Sequence, residues 1–116
     1  MKRGEIYRAN LAPRSGSEQT GMRPVIILSH NAFNETQAWR SIIVIPVSSS
    51  PTQARRGPTV VALPAGTAGL KNDSSAICHQ VTTLDRAKLE ECLGMLPADI
   101  LILVEKALLA ALDIRR

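Results

Sequence analysis

Two hydrophobic periods divide the chain. From Glu5 to Leu11 polar and apolar residues alternate with period two, which predicts a first strand with one buried and one wet face. Pro24 to Ser29, a β-branched run too short for a helix, predicts strand two, and Ser41 to Ser48, apolar on both faces, predicts strand three. Pro46 lacks a ladder donor and is expected at a sheet edge or a bulge. Thr59 to Leu63 reads as strand four, Ser75 to Val81 as strand five, and Glu90 to Met95 as a short return strand. Between the last two, Thr82 to Leu89 reads as a short helix with Thr83 as its cap. The period changes to 3.6 only at the end, where Ile100, Leu103, Val104, Ala107, Leu108, Ala111 and Leu112 share one helical face. Pro97 and Asp99 mark the start of that helix. Ile102 and Leu109 lie on its other side and are expected to be exposed. Several short antiparallel strands closed by one helix predict a single-domain, mainly β fold, a small bent barrel.

The connections carry the polar chemistry. Ala12 to Met22 is a long loop in which Ser17, Glu18 and Gln19 sit between Gly16 and Gly21. Arg23 follows where the loop becomes strand two, and Pro24 holds it in an extended backbone. A guanidinium fixed at the mouth of a strand suits a phosphate, because its planar fork stays protonated and donates in pairs. A surface arginine tied to Glu18 is the plainer alternative. His30 to Ala38 is turn-rich, with room for one helical turn, and His30 is either a groove residue or a turn cap. Ser48 to Gly57 is a second polar loop that ends in Arg55 and Arg56. His79 lies within the expected strand five and reads as structural.

Charge sharpens this picture. Residues 1–56 hold eight Lys/Arg against three Asp/Glu, whereas residues 57–116 hold six against seven, so the basic face belongs to the N-terminal half and favours a polyanionic partner. With only Tyr7, Phe33 and Trp39 aromatic, grip on nucleic acid must come from charge and hydrogen bonds rather than base stacking. Cys78 and Cys92 lack metal-ligand spacing and read as reduced packing residues. No apolar h-region follows Met1 and no stretch is long enough to span a membrane, so a cytoplasmic protein is expected. Neither a Gly-x-Ser-x-Gly turn nor a P-loop is present.

Taken together, Arg3-Gly4-Glu5-Ile6-Tyr7, Gly16-Ser17-Glu18-Gln19, Arg23-Pro24-Val25, Ile45-Pro46-Val47-Ser48-Ser49, Asp73-Ser74 and Gln80-Val81 resemble the MazF/PemK toxins of bacterial toxin–antitoxin systems. The resemblance implies a homodimer of Src-homology-3-like (CcdB/PemK-type) barrels. It implies an endoribonuclease, an mRNA interferase that cuts single-stranded RNA at a short sequence with no metal or other cofactor. The family's catalytic arginine falls on Arg23 and its catalytic threonine on Ser48, with Ser49 as a fallback. Serine keeps the hydroxyl but loses the methyl that stiffens threonine. Glu18 is a candidate proton acceptor, and Ser17, Gln19, Ser49, His30, Arg55 and Arg56 are candidate RNA contacts. The partner implied is an antitoxin whose disordered acidic tail occupies the RNA groove. Two other readings stay open. One is an RNA-binding barrel that does not cleave; the other is a CcdB-like gyrase-binding toxin, whose C-terminal tryptophan has no counterpart in Leu112 to Arg116.

Overall fold

A computed structural model describes residues 1–12, 21–55 and 57–115. Seven strands are present: β1 (Glu5–Asn10), β2 (Met22–Ile27), β3 (Ser41–Ser48), β4 (Val60–Leu63), β5 (Ser74–Ile77), β6 (Thr82–Asp85) and β7 (Leu89–Met95). The helical elements are α1 (Asn31–Asn34), α2 (Pro51–Ala54) and the long α3 (Ala98–Ala111), with single 3-10 turns at Thr67–Gly69, Cys78–Gln80 and Arg86–Lys88. All strand pairs are antiparallel and follow the path β4-β5-β3-β2-β1-β7, with β6 also on β3. The mainly β fold with a C-terminal helix is as expected. Among the described residues β4 and β7, the two ends of the path, are not paired, so the barrel is open.

Strands two and three are apolar on both faces because each face meets its own core. Ile26, Leu28, Ile45 and Val47 enter one cluster, which Val104 and Ala107 of α3 cover. Their neighbours Val25, Ile27, Ile42 and Val44 point the other way, into a second cluster with Ala9, Leu11 and Leu84. At about 1.5–3 kcal/mol for each large aliphatic side chain buried, these two clusters carry the fold.

Pro46 sits neither at an edge nor at a bulge. It pairs with Val25 of β2 inside the sheet. On the other side of β3, the ladder to β6 ends at Val44 and the ladder to β5 begins at Val47, so Ile45 and Pro46 fall in the gap where β3 changes partners. A missing N–H costs nothing there.

Other expectations fail for identifiable reasons. Thr82–Asp85 is a strand, not a helix, because its β-branched residues complete the edge of β3 at Ser41–Val44. Helical character survives only in the 3-10 turn that follows, where the Asp85 carboxylate accepts the Ala87 N–H at 2.8 Å. Strand five stops at Ile77, and His79 is an exposed residue of a 3-10 turn, its Nδ1 2.8 Å from the Thr59 hydroxyl. The second polar loop contains α2, opened by Pro51 at its first position. On α3 the buried stripe is rotated: Leu101 packs against the core with Ile100, Val104, Ala107 and Leu108, while Leu103 and Leu112 are exposed. Ile102 is exposed as expected and Leu109 is partly buried. Cys78 is buried, but Cys92 is exposed on β7, its thiol 3.3 Å from Glu5 Oε2.

Two glycines bring a loop against the sheet. A Cβ on Gly69 would stand 2.1 Å from the Leu93 carbonyl oxygen, and one on Gly94 would stand 2.6 Å from the Ala68 carbonyl. Gly69 also has φ +81, which favours glycine. Backbone therefore lies on backbone, and the residues after Gly69 are set at the rim of the cleft described next.

Candidate functional site

The floor of the site is one row of side chains across the sheet. Glu91 of β7 pairs with Arg8 of β1, and Arg8 pairs with Pro24 of β2. Val47 of β3 joins them just beyond the end of the β2–β3 ladder, whose last pair is Val25 with Pro46. All four of these residues line a cleft of about 300 Å³. Arg23 and Ser49 stand on one side of it, and Leu70, Lys71 and Asn72, carried by the glycine-packed loop, stand on the other. Ser49 and Ser74 also line an adjoining depression of about 490 Å³ flanked by Pro51 and Ala54 of α2. The two form a continuous groove.

Three cations, Arg8, Arg23 and Lys71, and one carboxylate, Glu91, line the main cleft. Arg8 Nη2 and Glu91 Oε1 are 4.0 Å apart and both side chains are more than half exposed, so solvent screens the pair. The remaining charge is positive, and the hydroxyl of Ser49 and the amide of Asn72 add donors, while the Ser74 hydroxyl donates to the Asn72 carbonyl at 2.9 Å. That combination suits a phosphate-bearing ligand.

The expected site residues divide into groups. Arg23, exposed on β2 opposite Ala9, and Ser49 meet in the cleft. Ser48 pairs with Ser75 of β5 and immediately precedes Ser49 of the cleft. Ser48 is nevertheless buried at 4% exposure, and its hydroxyl oxygen accepts the Ser50 N–H at 3.1 Å. It holds the turn from β3 into α2 and has its own O–H left to donate. Arg55 is exposed at the C-terminal cap of α2 and lines neither part of the groove. His30 is not brought to the cleft: it lies beyond the opposite end of β2 from Arg23, where its Nδ1 accepts the Ala32 N–H at 2.9 Å and caps α1. Ser17, Glu18, Gln19 and Arg56 lie outside the described residues.

Sequence reasoning missed Arg8, Lys71 and Glu91. Arg8 looked like an ordinary wet-face residue of strand one, and nothing local links it to Glu91, 83 positions away. Among the described residues no three His, Cys, Asp or Glu side chains converge as a metal cluster would require, and no helix is long and apolar enough to cross a membrane.

An antiparallel sheet with two cores, a C-terminal helix and a cation-lined groove at the sheet's end defines a small β protein whose groove suits a polyanion. Comparison with known proteins makes the class specific. Over residues 2–112 the chain matches the family described as PemK-like, MazF-like toxin of type II toxin-antitoxin system, and it belongs to that family. It is 34% identical over 108 residues to the endoribonuclease MazF of Staphylococcus epidermidis, covering 93% of this chain and 88% of the relative. The solved MazF of Deinococcus radiodurans superposes with a TM-score of 0.79 at 31% identity, over 97% of this chain and 96% of that one. A MazE–MazF structure from the same organism superposes at 0.75 and 30% identity, over 99% and 97%.

Proposed function

We propose that this endoribonuclease, the toxin of a toxin–antitoxin pair, cuts single-stranded mRNA at a short sequence in the cytoplasm without a metal ion. The substrate's own 2′-hydroxyl attacks the phosphorus, leaving a 2′,3′-cyclic or 3′-phosphate on one product and a 5′-hydroxyl on the other. The observation that carries this reading is the placement of Arg23 with Arg8 and Lys71 around one cleft, where a phosphodiester gaining negative charge in its transition state finds fixed cations. Ser48 donates from beneath, through the O–H that its bond to Ser50 leaves available. Ser17, Gln19, Arg55 and Arg56 serve as further RNA contacts. The chain acts as a homodimer, and the acidic tail of its antitoxin competes with RNA for the same cations.

The test is incubation of pure protein with a long RNA in EDTA. Discrete cuts are expected, abolished when the nucleotide 5′ to the cut carries a 2′-deoxyribose. Cleavage of the deoxy substrate would show that water or a side chain attacks instead. The burial of Ser48 favours one second reading, an RNA-binding barrel that does not cleave; intact but retarded RNA is its signature.

A further inference from the structure

We propose that Glu91 is the proton acceptor for the substrate's 2′-hydroxyl and that Arg8 positions it. This rests on the reading of the cleft as the RNA-cleaving site.

Glu91 is the one carboxylate among the described residues lining the main cleft; the other charged groups there, Arg8, Arg23 and Lys71, are all cations. A carboxylate in a phosphate-binding cleft repels the ligand, and its exposed ion pair with Arg8 adds little to stability. Neither binding nor folding accounts for it. Proton transfer does, since an ionised carboxylate is purely an acceptor. The geometry is suitable. Glu91, Arg8 and Pro24 form one row across three adjacent strands, so Glu91 and the Arg23–Pro24 segment stand about two strand spacings, roughly 9.5 Å, apart. A ribose and its 3′-phosphate fit between them, the phosphate toward Arg23 and the 2′-hydroxyl toward Glu91. Tyr7 and Cys92, paired in the next row of the same strands, do not line the cleft.

The step balances as follows. Glu91 takes the 2′-hydroxyl proton while the 2′-oxygen bonds to phosphorus and the bond from phosphorus to O5′ breaks. O5′ keeps the electron pair and takes a proton from water, and Glu91 returns its proton to the hydroxide so formed.

Single-turnover cleavage of a short RNA between pH 4 and 8 tests the assignment, with an uncleavable 2′-deoxy RNA to measure binding and thermal unfolding to confirm the fold. Glu91→Gln should slow cleavage about 10²–10⁴-fold and leave binding of the 2′-deoxy RNA equal or tighter, because a negative charge is gone. Arg8→Ala should slow cleavage less, and Arg8→Lys should recover part of the loss. Wild-type rates in a folded Glu91→Gln protein, or a loss of rate matched by an equal loss of 2′-deoxy RNA binding, would overturn the assignment alone. Wild-type protein that leaves RNA intact overturns the reading of the cleft, and the assignment with it.

Discussion

Arg23 and Ser48 do different work. Arg23 is exposed on β2 and lines the cleft, so Arg23→Ala should lower single-turnover cleavage about 10²–10³-fold in a protein that still folds. Ser48 is buried and structural as well. Ser48→Ala leaves the Ser50 N–H without its acceptor and should cost about 1 kcal/mol in denaturant unfolding besides slowing cleavage. Ser48→Thr keeps the hydroxyl and should preserve activity. Gly94 offers a control at a distance from the chemistry: a Cβ there strikes the Ala68 backbone. Gly94→Ala should therefore push the 67–70 turn off β7, destabilise the protein by about 1–3 kcal/mol, and weaken RNA binding, because Lys71 moves with that turn. Unchanged RNA affinity in a destabilised Gly94→Ala protein would separate the turn from the site.

Between elements, one side chain organises the segment joining α1 to β3. The Arg86 guanidinium donates to the carbonyls of Phe33, Asn34, Thr36 and Trp39, at 2.9–3.0 Å. Phe33 and Trp39 stack beside it with centroids 4.5 Å apart, so the chain's one tryptophan reports on this arrangement. Arg86→Ala should shift the tryptophan emission and cost about 1.5–3 kcal/mol, a fall of several degrees in Tm. The same region shows why a local reading fails. Thr82 to Leu89 has acceptable helical spacing, yet β3 has an open edge at Ser41–Val44, and satisfying that ladder outweighs a weak helical preference. The α3 stripe has a related lesson. Leu103 and Leu101 are equally apolar, and the direction from which the sheet approaches decides that Leu101 is covered.

For the whole molecule, the core beneath α3 responds to pH through Cys78. Burial raises its thiol from 9.0 to about 12. Because the folded pKa lies above the unfolded one, the folded state loses stability as pH rises from about 9 toward 12, with no contribution below that window. Alkaline denaturation followed by tryptophan fluorescence should show this loss, and Cys78→Ala should flatten the curve across that interval. The sequence by itself determined the strands whose period or composition admits one answer, the long C-terminal helix, and the position of Arg23 at the mouth of β2. Those are local properties, set by backbone preference within a few residues. It did not contain the second core, the central place of Pro46, the rotation of α3, or the meeting of Arg8, Lys71 and Glu91 around Arg23. Each of these depends on which strand lies beside which, and pairing across dozens of residues is settled by the joint burial of both faces of the sheet, which only the assembled tertiary structure decides.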